Sequence, residues 1–182
     1  KATRLARQGF RVLLTCFNKH LAADLRARLK PSPNLDIVNF HALCYDLGRR
    51  SGVLPVKRDD DTFFNQQLPE ALMDAADALS IRYDAIVVDE GQDFRDGWWV
   101  PLQTLLRDPD HGILYIFFDD NQRLYVPDSM FPIQQPPYPL TVNCRNTQNI
   151  HQLVVKFYRA EAAPTARGPF GRPVEVVFYD NP

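Results

Sequence analysis

Apolar residues occur along this chain in short, nearly continuous runs rather than in strict alternation with polar ones. Five runs are rich in β-forming residues: "FRVLLTCF" (10–17), "LDIVNF" (35–40), "YDAIVVDE" (83–90), "GILYIFFDD" (112–120) and "YPLTVN" (138–143). Continuous apolar runs are typical of parallel strands that are covered on both faces. The pattern therefore predicts five strands of one parallel sheet.

Helical periodicity fills the segments between these strands. In "NKHLAADLRARL" (18–29), Leu21, Leu25 and Leu29 recur every four residues, and Pro31 ends the helix. Residues 42–80 favour a mainly helical insertion. The alternation of strands and helices predicts an α/β fold with a doubly wound parallel sheet.

A second amphipathic segment, "TQNIHQLVVKFYR" (147–159), follows the fifth strand. Asn146 or Thr147 is suited to cap its amino end. The residues expected to share its apolar face are Ile150, Leu153, Val154 and Phe157. After Ala160, "EAAPTARGPFGRP" (161–173) is typical of a linker, and "VEVVFY" (174–179) predicts one more strand. We therefore expect one domain over 1–163 and the start of another over 164–182.

The composition indicates a soluble globular protein, with 45% hydrophobic and 24% charged residues among 182 and a net charge of −1. No apolar run approaches the roughly 20 residues of a membrane span, and three scattered cysteines favour a reducing, cytoplasmic location. Residues 1–30 are the exception, since eight Lys and Arg against one Asp give a local charge of +7. This region is either a solvated helix face or a surface that follows phosphates.

Polar residues follow the carboxyl end of every predicted strand. In sequence order these ends are 17–19 (FNK), 40–41 (FH), 89–93 (DEGQD), 119–122 (DDNQ) and 143–145 (NCR). Ligands of doubly wound sheets bind at the carboxyl ends of the strands. Five polar ends at one rim of one sheet therefore predict a binding site.

The residue types at these ends suit phosphoryl transfer. A strand-end Asp can hold Mg²⁺, and a following Glu can orient and deprotonate a water molecule. A Gln can sense a terminal phosphate, and an Arg can neutralise the charge that develops on it. Taken alone, Asp89 and Glu90 are also compatible with an acid pair that merely caps a loop.

Five segments together resemble the UvrD/Rep-like DNA helicases of superfamily 1. The segment "VVDEGQDF" (87–94) resembles their Walker B motif, "FDDNQRLY" (118–125) motif III and "LTVNCRNTQNI" (140–150) motif IV. The segments "LLTCFNKHLAADLRARL" (13–29) and "VNFHALC" (38–44) resemble motifs Ia and Ib. The resemblance covers residues 10–150 in family order. It implies a RecA-like domain of the P-loop NTPase type.

The resemblance also implies roles for the matching residues. It assigns Mg²⁺ coordination to Asp89, the catalytic base to Glu90, contact with the γ-phosphate of ATP to Gln122, and an arginine finger to Arg145. Gln92 and Asp93 are expected to organise the site rather than to react. The residues expected to line a path for single-stranded DNA are Phe17, Asn18, Phe40, His41 and Tyr125. For Phe40 and His41, the residues alone favour a packed aromatic and a core histidine.

The sequence departs from the family in several places. Phe118 replaces the usual Gly of motif III, and Cys144 replaces the aromatic of motif IV. No G-x-x-x-x-G-K-[ST] occurs, so the phosphate-binding loop, or Walker A motif, is missing. Motifs V and VI are missing as well. We therefore expect a truncated RecA-like domain, inactive by itself, whose exposed strand edges favour self-association.

The expected function is that of part of an ATP-dependent helicase or translocase, which couples hydrolysis of Mg²⁺-bound ATP to movement on single-stranded or partly duplex DNA. One alternative is a non-catalytic relic of the fold that binds nucleic acid or regulates. Another is the motor of a helicase–nuclease fusion.

Overall fold

The computed structural model describes residues 1–56, 60–119, 122, 130–158 and 163–177. The chain divides into two compact units, Lys1–Pro132 and Ile133–Pro182. The division therefore falls about thirty residues before the boundary that the sequence suggested.

The first unit contains a four-stranded sheet with the order β2-β1-β3-β4, in which every pair of neighbours is parallel. Its strands are β1 (Val12–Cys16), β2 (Leu35–Asn39), β3 (Ala85–Asp89) and β4 (Ile113–Ile116). Its helices are α1 (Ala2–Arg7), α2 (Lys19–Arg28), α3 (Phe40–Ser51), α4 (Leu68–Ala78) and α5 (Trp99–Gln103). The predicted α/β fold with a parallel sheet is confirmed.

The two central strands, β1 and β3, are buried because helices cover both of their faces. Successive side chains of a strand point to opposite faces. Leu14 and Val87 accordingly pack in the cluster that includes α1 residues. Leu13 and Ile86 pack in the larger cluster with α3, α4 and α5. Burial on both faces explains why these strands are apolar at consecutive positions.

Residues 42–80 are mainly helical, as predicted, but they belong to the layer that covers the sheet. α3 begins two residues earlier, at Phe40, and Leu43 and Leu47 on it are buried. A π-helical turn, Phe63–Gln67, leads into α4, where Leu68 and Leu72 are buried. These helices complete the larger hydrophobic core.

The strand β4 lies at one end of the strand order, and among the described strands it pairs with β3 only. Tyr115 on β4 is 37% exposed, and Phe117 just after it is 41% exposed. An edge strand with exposed apolar residues is the feature on which self-association was predicted. That association stays a prediction.

The predicted fifth strand does not join this sheet. In the second unit, β5 (Val142–Asn143) pairs in parallel with β6 (Thr165–Ala166) in a separate two-stranded sheet. Proline at 136, 137 and 139 has no N–H to donate to a ladder, so only the end of the apolar run forms a strand. The prediction of five strands in one sheet is therefore wrong. The described part of "VEVVFY", 174–177, is not in a strand either.

The second unit also holds α6 (Gln148–Val154), which continues as a 3-10 turn to Phe157. The side chain of Thr147 caps α6 by accepting from the Ile150 N–H, as one of the two predicted caps. The predicted apolar face is not buried, since Ile150 is 43% and Phe157 75% exposed. Within the described ranges, this unit buries only His151.

None of the helices in the described ranges combines the length and the apolar character that crossing a membrane requires.

Candidate functional site at the carboxyl rim

The parallel register brings the ends of all four strands of the first unit to one side of the sheet. Cys16 at the end of β1 is opposite both Asn39 of β2 and Asp89 of β3, and Val88 is opposite Ile116 of β4. We call the residues that follow these strand ends the carboxyl rim: Phe17, Asn18, Phe40, His41, Asp89–Asp93, Phe117–Asp119 and Gln122.

The end of β3 has an unusual backbone. Glu90 adopts the left-handed conformation, with φ 53° and ψ 49°, which is uncommon for a residue with a side chain. Gly91 then donates its N–H to the carbonyl of Phe117, at 2.8 Å. A Cβ atom at Gly91 would overlap Cγ2 of Ile116. Only glycine therefore lets the chain turn this close to β4, and the turn directs Glu90 out of the strand.

Two glutamine amides hold acidic groups at this turn. The amide of Gln92 donates from Nε2 to Oε2 of Glu90 at 2.6 Å, and its Oε1 accepts from the N–H of Asp119 at 3.1 Å. Gln122 donates from Nε2 to Oδ2 of Asp119, also at 2.6 Å. The predicted pair of Glu90 and Gln122 is thus connected through Gln92 and Asp119.

Negative charge accumulates at this part of the rim. Burial, and then repulsion by Glu90, raises the pKa of Asp93 above its ordinary value. Burial raises the pKa of Cys16 to about 11, and the nearby Asp89 adds to the shift. In both shifts burial is the larger cause, and the neighbouring carboxylates of Glu90 and Asp89 add to it.

The donor set fits Mg²⁺ held by few protein ligands. Among the described residues, His, Cys, Asp and Glu form no group of three or more that could hold a metal ion. Mg²⁺ commonly binds through one or two carboxylates and completes its shell with water and phosphate oxygens. Asp89 lines a cavity of about 190 Å³, together with Lys1, Thr3 and Phe117. A hydrated Mg²⁺ near Asp89 would therefore depend on that carboxylate and on water, because the other lining residues of the cavity include the cation Lys1 and apolar side chains such as Leu14.

The ends of β1 and β2 carry an aromatic cluster instead of acids. Phe17 and Phe40 both stack on Trp98, with ring centroids 5.7 Å and 5.2 Å away. His41 meets the same indole edge-on at 4.7 Å. Phe40 is 0% exposed. It is a core residue in this structure and presents no ring face to a nucleic acid, as the residue pattern by itself favoured.

His41 is held in a defined state. Its Nε2 lies 2.9 Å from the carbonyl oxygen of Phe64, and since a carbonyl can only accept, Nε2 carries the proton. Burial, and secondarily the charge of Arg95, lowers the pKa of His41 despite that hydrogen bond. The imidazole is therefore neutral at pH 7.

His41 also lines an open groove of about 330 Å³. The groove residues, which we call the aromatic groove, are Lys19, Asn39, His41, Ala42, Tyr45, Phe63, Phe64 and Leu68. Tyr45 is 43% and Phe64 36% exposed. Sequence reasoning missed both residues, because their proximity depends on how the π-helical turn packs against α3.

Asn18, Arg145 and Tyr125 are the remaining predicted residues. The side-chain oxygen of Asn18 caps α2 by accepting from the N–H groups of His20 and Leu21. Arg145 belongs to the second unit, where its N–H donates to Oδ1 of Asn143 at 3.0 Å, and its role as an arginine finger stays a prediction. Tyr125 lies outside the described residues.

Comparisons with known proteins do not identify the chain. No model of a protein family matches it, and no curated protein is significantly similar to it.

Proposed function

We propose that this chain supplies the hydrolytic part of an ATP-dependent DNA helicase or translocase. The observation that carries the proposal is the arrangement of Asp89, Glu90, Asp119 and Gln122 at one rim, beside an aromatic groove at the same side of the sheet. Nucleotide chemistry and contact with nucleic acid would then occur at neighbouring strand ends of one rigid sheet.

The acids at the end of β3 would divide the chemistry between them. Asp89 would hold a hydrated Mg²⁺, which when bound neutralises phosphate charge. Glu90 would orient a water molecule and accept its proton as the water attacks the terminal phosphorus. Gln122, anchored on Asp119, would place its amide against the terminal phosphate.

The aromatic groove supports the nucleic-acid half of the proposal. Exposed rings such as those of Tyr45 and Phe64 offer faces on which bases can stack without regard to sequence. Lys19, in the same groove, can meet a backbone phosphate. The aromatic groove and the acidic residues of the carboxyl rim together suit a protein that couples nucleotide hydrolysis to movement along a DNA strand.

The test is ATP hydrolysis by the native protein in the presence of single-stranded DNA. Replacing Glu90→Gln removes the proposed base and should lower turnover by about 10²- to 10⁴-fold while nucleotide binding persists. The matched control is Glu70→Gln, an exposed glutamate of α4, which should leave turnover unchanged. The isolated 182-residue chain should not turn over ATP, because its sequence lacks a phosphate-binding loop.

Unchanged hydrolysis in the Glu90→Gln variant would overturn the proposal. A second candidate, a nucleic-acid-binding module without hydrolysis, is favoured by the aromatic groove alone. It predicts salt-dependent binding of single-stranded DNA that weakens in Phe64→Ala, together with no DNA-stimulated ATP turnover in the native protein.

A further inference from the structure

Gln92 is an exceptional residue of the carboxyl rim because its polar side chain is buried. It is 2% exposed, in a part of the chain whose other buried side chains are almost all apolar. Burying an amide is costly unless both its donor and its acceptor find partners. Gln92 satisfies both, with Oε2 of Glu90 at 2.6 Å and the N–H of Asp119 at 3.1 Å.

These two partners specify an amide at this position. A carboxylate such as that of Glu90 accepts hydrogen bonds, whereas a backbone N–H such as that of Asp119 donates one. The side chain between them must therefore donate at one end and accept at the other. A carboxylate at position 92 could satisfy only Asp119, and an apolar side chain could satisfy neither.

We propose that Gln92 is the positioning residue of this site: its buried amide holds the Glu90 carboxylate in place and ties it to the turn after β4 that carries Gln122. The inference rests on the proposed function, because it concerns the group that would activate water. It specifies how Gln92, which the resemblance expects to organise the site, would do so, and it gives a reason for the burial of Gln92.

Positioning matters here because Glu90 lies beyond the end of the strand. Its left-handed backbone takes it out of the sheet, and a glutamate side chain has several rotamers to lose when it is ordered. The hydrogen bond from Gln92 engages Oε2, so the other oxygen, Oε1, is held ready for water. Ordering a base before the reaction lowers the entropic part of the barrier.

The same amide links the segments that follow two strands, β3 and β4. Asp119 accepts from Gln122 through Oδ2 and donates to Gln92 through its N–H. Glu90, which would meet the attacking water, and Gln122, which would meet the terminal phosphate, are therefore members of one hydrogen-bonded chain. Gln92 itself is 2% exposed and is assigned neither reactant, which is why we assign it to positioning rather than to catalysis.

Two substitutions separate the two halves of the amide. Gln92→Leu removes both hydrogen bonds at similar size. Gln92→Glu keeps an acceptor for Asp119 but loses the donor to Glu90. Gln8→Leu, at an exposed glutamine just after α1, is the matched control.

The first measurement is amide hydrogen exchange by NMR on this chain, which needs no nucleotide. In Gln92→Leu, the N–H of Asp119 should exchange at least about tenfold faster, whereas in Gln92→Glu it should stay protected. The N–H of Gly91, bonded to the Phe117 carbonyl, serves as an internal reference. Its protection should persist in both variants if they fold. An unchanged exchange rate of the Asp119 N–H in Gln92→Leu would overturn the proposed link between Gln92 and Asp119.

The second measurement is steady-state ATP hydrolysis by the native protein. Both Gln92 variants should lower kcat by about tenfold or more, with little change in KM, since ground-state binding is not affected. In a Glu90→Gln background they should cause no further loss, because the residue they position is gone.

The controls distinguish two kinds of failure. If Glu90→Gln itself retains turnover, the proposed function fails, and with it the role of Gln92 as the partner of a base. If Glu90→Gln is inactive while both Gln92 variants keep the wild-type kcat, the function stands and the positioning role is wrong.

Discussion

The acidic residues near the two ends of the strand β3 have different hydrogen-bond partners. At its amino end, Asp84 accepts from the N–H of Arg11 at 2.8 Å and pairs with the guanidinium of Arg107. The neighbouring Asp36 accepts from the hydroxyl of Tyr83 at 2.7 Å and lies 3.8 Å from Arg11. Arginines thus compensate the acids at this end.

At the carboxyl end, neutral amides take the place of arginines. Gln92 donates to Glu90, and Gln122 donates to Asp119. An amide orients a carboxylate without adding a positive charge. Nearby, burial and then repulsion by Glu90 raise the pKa of Asp93. The comparison teaches that arginines hold the acids at one end of the sheet, whereas glutamine amides orient Glu90 and Asp119 at the other.

The largest expected effect comes from closing the space at the turn after β3. Gly91→Ala would bring a methyl group into Cγ2 of Ile116. We expect a loss of about 1–3 kcal/mol in the free energy of unfolding, the usual cost of overpacking, measured by urea denaturation. Gly97→Ala is the control, since a Cβ atom there meets nothing within 4 Å. Equal stability of the two variants would contradict the close approach of the two strands.

A smaller effect is expected from removing a compensated acid at the amino end. Asp84→Ala deletes the acceptor of the Arg11 N–H and the partner of Arg107. A hydrogen bond to a charged group and a partly exposed ion pair together support a loss of about 1–2 kcal/mol. Asp110→Ala, at an exposed acid, should change stability little. Thermal unfolding of both variants would test this, and a neutral Asp84→Ala would show that the arginines do not stabilise this end.

The smallest effect, and one of opposite sign, is expected at Asp93. Its pKa is raised above the ordinary 3.8, so the folded protein retains this proton to higher pH than the unfolded chain does. The unfolding free energy therefore falls as pH rises through the interval between those two pKa values. Asp93→Asn removes this loss and should slightly raise the melting temperature at pH 7.

The gain in Asp93→Asn should disappear below pH 3.8, where Asp93 is protonated in both states. Asp61→Asn, at an exposed acid, is the control for the loss of one negative charge. A variant at Asp93 that is less stable than wild type at pH 7 would show that the carboxylate is compensated after all.

Much of the first unit was predictable because burial on both faces leaves a clear pattern. The apolar runs at 10–17 and 83–90 contain β1 and β3, and the segment 18–29 contains α2 with Asn18 as its cap. The prediction of a strand over 138–143 was too long, because proline interrupts this run and only Val142 and Asn143 form a strand. The helix predicted over 147–159 forms in part, as α6 and the 3-10 turn that follows it, but Ile150 and Phe157 remain exposed.

The candidate site was predictable in part. Acids and amides after β3 and β4 could be placed at one rim because parallel strands end on the same side of a sheet. The hydrogen bonds of Gln92 to two different strand ends could not be read from spacing. The burial of Phe40 and the proximity of Tyr45 and Phe64 could not be predicted from the sequence either, because they depend on how α3 and the π-helical turn pack.

By itself, the sequence determined which segments of the first unit become buried parallel strands and which polar residues follow them, because hydrophobic periodicity and strand direction are local properties. Tertiary structure alone decided that Val142–Asn143 pairs with β6, that Phe40 belongs to the core, and that Gln92 joins Glu90 to Asp119. These outcomes depend on contacts between segments distant along the chain, where close packing and the pairing of buried polar groups select one arrangement.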